Sequence, residues 1–285
     1  MSTTTLTPEE SQRYKRHLVL REMGGQGQQK LKAARVLIVG AGGLGSPVLL
    51  YLAAAGVGTL GIIDDDTVSI DNLQRQVAHG TADAGRPKVE SAAGTIRRIN
   101  PHVTIEAHKA RLDAGNALAL ISQYDIVADG SDNFATRYLV SDACFLAKKT
   151  LVYAALGPLD GYVSVFKPHE RQSDGTPYPS LRCIFPEAPP AGLVANCSEV
   201  GVLGPVAGVI GTLQATEIVK EITGIGESLA GKLLIYDAQA SRFDTVQLAY
   251  DPDNPLSGTH PTILDLSSHV AATVGSASGP ACAAE

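Results

Sequence analysis

Cysteine is scarce. Cys144, Cys183, Cys197 and Cys282 are the only four in 285 residues, and no two of them form a Cys-x-x-Cys pair. That excludes a disulfide scaffold and points to a reducing, cytoplasmic setting. Basic charge is also short. Lys and Arg number 23 against 29 Asp and Glu, a formal net charge of −6, which argues against a general nucleic-acid binder. No Lys/Arg block offers a patch for a membrane surface. The amino-terminal segment turns polar and charged by His17 and has no apolar signal core. One uncharged stretch, from Val36 to Ile63, is long enough to cross a bilayer. Seven glycines and Pro47 interrupt it, and Asp64, Asp65 and Asp66 follow, so it reads as a buried strand, a glycine turn, a buried helix and a second strand.

Glycine is plentiful, 29 residues, in a chain that is 44% apolar and 18% charged. The apolar share suffices for a sizeable core. The glycine share fits tight turns and close backbone approaches, as in nucleotide sites. Thr7-Pro8-Glu9-Glu10 predicts a helix start, running to about Glu22 with Tyr14, Leu18 and Val19 on one face. Strands follow over 35–40, 58–63, 103–107, 125–128 and 150–156, with helices over 26–33, 44–55, 87–99, 114–122 and 133–147 between them. This alternation predicts βαβ units and a mostly parallel sheet, an α/β fold of Rossmann type. A further strand over 161–166, a long Pro-rich loop over 167–198 and a helix over 208–223 come next. An antiparallel pair over 232–237 and 242–248 closes the sheet. The expected organisation is one domain over 1–250 and a tail over 251–285, partly disordered, ending in small-residue low complexity.

Gly40-Ala41-Gly42-Gly43-Leu44-Gly45 follows a predicted strand and opens a predicted helix, and Asp64 ends the next strand. Such glycines let the backbone approach phosphate, the helix N-terminus supplies unpaired N–H donors, and the acid suits ribose hydroxyls. The loop alone does not separate NAD from ATP. The next segment does. Asn72, Arg75 and Lys88 supply polar and cationic groups suited to a triphosphate. Asp132, just past the fourth strand, suits Mg²⁺. An NAD-dependent oxidoreductase would leave these four without a task.

Together the motifs resemble the MoeB/ThiF family, bacterial relatives of ubiquitin-activating enzymes. The resemblance is carried by Arg13-Tyr14-x-Arg16, Gly40 to Gly45, Asn72-Leu-Gln-Arg75-Gln76, Lys88-Val-Glu-Ser, Arg98-Ile-Asn-Pro101, Asp129-x-x-Asp132-Asn133, Asn196-Cys197-x-x-x-Gly201 and Gly208-Val-Ile-Gly-Thr-Leu-Gln-Ala-Thr-Glu217. It covers about residues 10–248. It implies ATP-dependent adenylation of the Gly-Gly carboxylate of a small β-grasp sulfur-carrier protein, which a sulfur donor then converts to a thiocarboxylate for molybdopterin, thiamine or another product. By resemblance, Gly40, Gly42, Gly43 and Gly45 form the nucleotide loop and Asp64 holds the ribose. Asn72, Arg75 and Lys88 hold phosphates, and Asp132 holds Mg²⁺. Arg16 reaches the site from a second subunit, which implies a homodimer. Cys197 aligns with a cysteine that some relatives use as a nucleophile. The competing readings are the oxidoreductase and a catalytically silent module that grips a β-grasp protein.

Two departures from the family pattern matter. Many members carry two Cys-x-x-Cys pairs that bind a structural zinc. Here the corresponding positions are Ser180, Cys183, Asn254 and Ser257, and a single thiolate does not make a tetrahedral zinc site, so no zinc is expected. Residues 258–269 also resemble the linker that in some relatives leads to a rhodanese domain, and the sequence ends at Glu285. The sulfur donor is therefore expected to be a separate protein of the rhodanese or cysteine desulfurase type.

Overall fold

The computed structural model describes residues 5–187 and 201–274. Eight strands form one sheet in the order β3-β2-β1-β4-β5-β6-β7-β8: β1 Arg35–Val39, β2 Thr59–Ile63, β3 Thr104–His108, β4 Ile126–Asp129, β5 Thr150–Leu156, β6 Asp160–Phe166, β7 Lys232–Asp237 and β8 Arg242–Gln247. The strands from β1 to β5 pair in parallel, and β6, β7 and β8 pair antiparallel. The mostly parallel sheet with antiparallel carboxyl-terminal strands is the architecture expected from the sequence.

The central strands read as continuous apolar runs because both faces are covered, as parallel sheets require. On β1, Val36 and Ile38 face one core, packed with Leu49, Leu52 and Ile218. Leu37 and Val39 face the other, with Ile121, Leu139 and Val140. Helices Gly45–Ala55, Lys88–Ile99 and Gly204–Thr223 supply the first layer, and Ala117–Ile121 and Phe134–Leu146 the second. Cys144 lies in the second core, where burial pushes its thiol well above the usual range, as expected of a core cysteine. Because β2 and β4 flank β1, the chain reverses its winding direction there. A crevice opens at the carboxyl ends of β1 and β4, the usual ligand position in such sheets.

Three expectations need correction. The first helix is not continuous to Glu22. It divides into Pro8–Arg13 and Lys15–Leu18 at Tyr14, whose buried hydroxyl accepts a hydrogen bond from Asn100 Nδ2 at 2.8 Å. Val19, placed by helical periodicity on one face with Tyr14 and Leu18, is 69% exposed whereas Tyr14 is buried. The helix predicted over 208–223 starts a turn earlier, at Gly204, with Pro205 in its first turn. Finally, the segment read as a tail begins as packed structure, with Asn254, Leu256 and Leu266 buried and a short helix, Ser267–Val274, beyond. His269 of that helix sits 2.8 Å from the Oδ2 of the fully buried Asp142, which also accepts from Arg182 at 2.8 and 2.7 Å. No helix among the described residues is long and apolar enough to cross a membrane.

Candidate active site

A cavity of about 300 Å³ occupies the crevice at the carboxyl ends of β1, β2 and β4. Gly40 turns the chain out of β1 with φ +92°, and a Cβ there would lie 2.9 Å from the Gly130 carbonyl oxygen. A Cβ on Gly45 would lie only 1.9 Å from the Gly40 oxygen. These two glycines let the loops after β1 and β4 and the helix start pack against one another. Gly42 and Gly43 face the cavity. Gly45 does not line it, so its part is in this packing.

Asp64 lines the cavity and also braces the loop. Its Oδ2 accepts the Ala41 N–H at 2.8 Å and its Oδ1 the Asp66 N–H at 2.8 Å. A carboxylate has about four acceptor sites, so both oxygens retain capacity for ribose hydroxyls. Lys88 opens its helix at the cavity edge, with its buried ammonium 2.8 Å from Asp66 Oδ2. The Asp66 carboxylate is 70% exposed. Arg75 lays its alkyl stem over Gly43, and among the described residues its guanidinium holds a single 3.4 Å contact, to the Asp71 carbonyl oxygen. Its guanidinium is thus available to a ligand.

The loop after β4 closes the cavity. Asp132 lines it and is exposed. Asn133 caps helix Phe134–Leu146, its Oδ1 accepting from the Thr136 N–H at 2.9 Å. The positive end of that helix therefore meets the cavity. Asp129 is fully buried beneath the loop. Its Oδ1 accepts the Ser131 N–H at 2.9 Å, its Oδ2 has no hydrogen-bond partner among the described residues, and burial raises its pKa.

Arg137 was not singled out by the sequence. It lines the cavity, 8% exposed, with Nη2 3.3 Å from the Ser131 carbonyl oxygen and a buried Nε that has no hydrogen-bond partner among the described residues. Its position four residues past the capping Asn133, one helical turn, was the available signal. Arg111 and Gln76 also line the cavity.

Of the residues named from the sequence, Gly40, Gly42, Gly43, Asp64, Arg75, Lys88 and Asp132 meet on this one cavity. Asn72 does not line it. Asn72 belongs to a short 3-10 turn, Ile70–Asn72, and its carbonyl accepts from the N–H groups of Arg75 and Gln76 at 3.1 and 3.0 Å. Arg16 is exposed and does not line the cavity of its own chain. Cys197 and Cys282 lie outside the described residues.

The four positions that the family resemblance aligns with zinc cysteines come together as a hydrogen-bonded clasp. Asn254 Nδ2 donates to Ser180 Oγ at 2.9 Å and contacts Cys183 Sγ at 3.1 Å. Its Oδ1 accepts from the N–H groups of Leu256 and Ser257 at 2.8 and 3.0 Å, and Ser257 Oγ lies 3.4 Å from Ser180 Oγ. Three of these four residues lack a thiolate or imidazole, so the set does not fit zinc. Ser180 and Asn254 are each 1% exposed. Replacing Asn254 by alanine strands buried donors, and we expect a loss of about 1–3 kcal/mol, read by urea unfolding. An unchanged midpoint would show that the clasp contributes nothing.

The ThiF family model matches residues 14–256. The chain is 49% identical over 252 residues to the probable adenylyltransferase/sulfurtransferase MoeZ of Mycobacterium tuberculosis, covering 88% of this chain but 64% of that one, just under two thirds of its length. It is 46% identical over 260 residues to the sulfur carrier protein adenylyltransferase of Thermus thermophilus, covering 91% and 95% of the two chains. It is 45% identical over 256 residues to the SAMP-activating enzyme E1 of Haloferax volcanii, covering 90% and 92%. Among solved structures, the E. coli MccB crystal structure with ATP matches with a TM-score of 0.72 at 23% identity, over 86% of this chain and 74% of that one. This is a likeness of fold.

Proposed function

The chain belongs to the ThiF family, and from that premise we propose that it is an adenylyltransferase that uses ATP to activate the C-terminal Gly-Gly carboxylate of a ubiquitin-like β-grasp sulfur carrier. The observation that carries the proposal is the meeting of a glycine loop, a helix N-terminus and the cations Arg75, Lys88 and Arg137 around one cavity. In the reaction a carboxylate oxygen attacks the α-phosphorus, the bond to the leaving pyrophosphate breaks, and an acyl-adenylate forms. A sulfur nucleophile then displaces AMP: hydrosulfide gives the thiocarboxylate directly, whereas a donor's persulfide gives an acyl disulfide from which a thiol reductant releases the thiocarboxylate.

Both reactants are anions, so the barrier lies in charge repulsion and alignment. The glycine loop and the helix start at Asn133 would receive phosphate, and Asp64 the ribose. Arg75 and Lys88 would neutralise the triphosphate, with Lys88 exchanging its exposed Asp66 partner for phosphate oxygens. Asn72, which does not line the cavity, would have to turn toward it to contribute. Mg²⁺, when bound, supplies further neutralisation, and Asp132 would hold it. Mg²⁺ commonly keeps several waters and binds through one or two carboxylates plus substrate phosphates, and Asp132 would be such a carboxylate; among the described residues no three His, Cys, Asp or Glu side chains group to hold a metal.

Arg16 would enter from the partner of a homodimer. The reading needs no zinc, and metal analysis of the purified chain should find none; about one zinc per chain would contradict it. It places the enzyme in the cytoplasm, with a separate sulfur donor. The carrier's surface decides whether molybdopterin, thiamine or another sulfur product is served. Cys197 enters as a candidate nucleophile for the sulfur step alone. The test is carrier-dependent ATP–pyrophosphate exchange. Tight ATP binding with no exchange against any Gly-Gly carrier would favour the silent binding module instead.

A further inference from the structure

His79 is a buried polar side chain beside the site to which the proposed reaction gives no task. His79 is 8% exposed and makes two hydrogen bonds, Nε2 to the Ala41 carbonyl oxygen at 2.8 Å and Nδ1 to Ser91 Oγ at 2.8 Å. A carbonyl only accepts, so Nε2 carries the proton. Burial is the main influence holding the ring's pKa below its ordinary value, and the Lys88 ammonium adds to it. With Nε2 protonated and the ring neutral, Nδ1 is the bare nitrogen and faces the Ser91 hydroxyl. The Ser91 hydroxyl also lies within reach of the Asp83 carboxylate, which accepts from the Gly80 N–H at 3.0 Å and Arg86 Nη1 at 2.6 Å, so Ser91 sits between the two acceptors while the Nε2–H bond to Ala41 stands apart from it.

The bonded carbonyl belongs to the peptide that joins Ala41 to Gly42. In a trans peptide, C=O and N–H point in opposite directions. Holding the Ala41 oxygen inward on His79 turns the Gly42 N–H away from His79, toward the side on which Gly42 lines the cavity. The preceding peptide is fixed independently, by the bond from the Ala41 N–H to Asp64. Glycine rotates with little steric penalty, so the peptide before Gly42 is where the loop is free to flip. Ser91, the other partner, lies on helix Lys88–Ile99, one turn beyond Lys88. The imidazole thus ties the glycine loop to the helix that presents the phosphate-binding lysine.

The geometry points to His79 as a positioning residue for ATP: as the neutral Nε2–H tautomer it locks the peptide between Ala41 and Gly42 with its N–H aimed at the nucleotide. This rests on the adenylation reading, and the test separates the two. MgATP affinity is measured directly, without carrier, for the wild type, His79→Ala, His79→Gln and Ser91→Ala, followed by KM and kcat in the exchange assay. Gln is the informative replacement because its terminal amide can reach the Nε2 position and donate to the same carbonyl.

The expected pattern is an ATP affinity and KM about tenfold or more weaker in His79→Ala, with the KM for carrier within about twofold of wild type. Affinity should return to within about threefold in His79→Gln, with Ser91→Ala intermediate. Histidine ¹⁵N NMR on the whole chain should show one ring as an Nε2–H tautomer whose signals move on adding MgATP, and these signals should be absent from His79→Gln. A folded His79→Ala with unchanged ATP affinity, a His79→Gln as weak as His79→Ala, or an Nδ1–H tautomer would each overturn the inference while leaving adenylation intact. Should His79→Ala fail to fold, the Gln variant and the tautomer decide. A wild-type chain that does not bind MgATP at all would overturn both.

Discussion

Replacing Asp132 by alanine is expected to lower carrier-dependent ATP–pyrophosphate exchange by about 10²–10³-fold or more, the range seen when one preorganised electrostatic partner of a transition state is removed. Asp132 is exposed at the cavity wall, two residues past Gly130, on a loop whose backbone is set from below by Asp129. Its loss should leave stability within about 0.5 kcal/mol of wild type, as for exposed positions without a packing role. Asp132→Asn keeps the shape and removes the charge. It should be nearly as damaging, because the proposed task is to hold a cation against the triphosphate. Activity that survives in the Asn variant and fails in the Ala variant would assign Asp132 a hydrogen-bonding task instead.

Arg16→Ala is the second large expectation. Arginines that reach a transferring phosphoryl group are worth roughly 10³–10⁵ in rate. Arg16 sits on the short helix Lys15–Leu18, exposed and away from the cavity of its own chain. If it acts across a two-fold dimer, Arg16→Ala and Asp132→Ala should complement each other. Each variant alone is inactive. In a randomly mixed population half the dimers are hybrids, and each hybrid has one site with both residues intact. Activity should recover to about one quarter of wild type. No recovery after subunit exchange, or full activity in a monomer, would remove Arg16 from the site.

The parts of this molecule that were legible in the sequence depend on local pattern. Two-sided burial makes β1 and β4 apolar runs, and strict backbone contact makes Gly40 and Gly45 glycines. The resemblance added roles that composition and spacing do not supply, and seven of its residues share the cavity. What escaped depends on partners distant in the chain. Tyr14 divides the first helix because its hydroxyl meets Asn100. Asn254 is structured because Ser180 and Cys183 receive it, and its Oδ1 in turn holds the Leu256 N–H. His79 was assigned no role in the sequence, since nothing local shows that its ring meets a carbonyl 38 positions earlier. Arg137 escaped differently, as an ordinary charge on a helix until the helix start is placed at the cavity.

The most direct test of the central claim is ATP–pyrophosphate exchange by the wild-type chain against a panel of β-grasp carriers, each assayed intact and with its last glycine removed. The account predicts exchange with at least one intact carrier and none with its truncated form, because the terminal carboxylate is the attacking group. Exchange indifferent to the truncation, or none with any carrier despite tight binding of ATP, would contradict it.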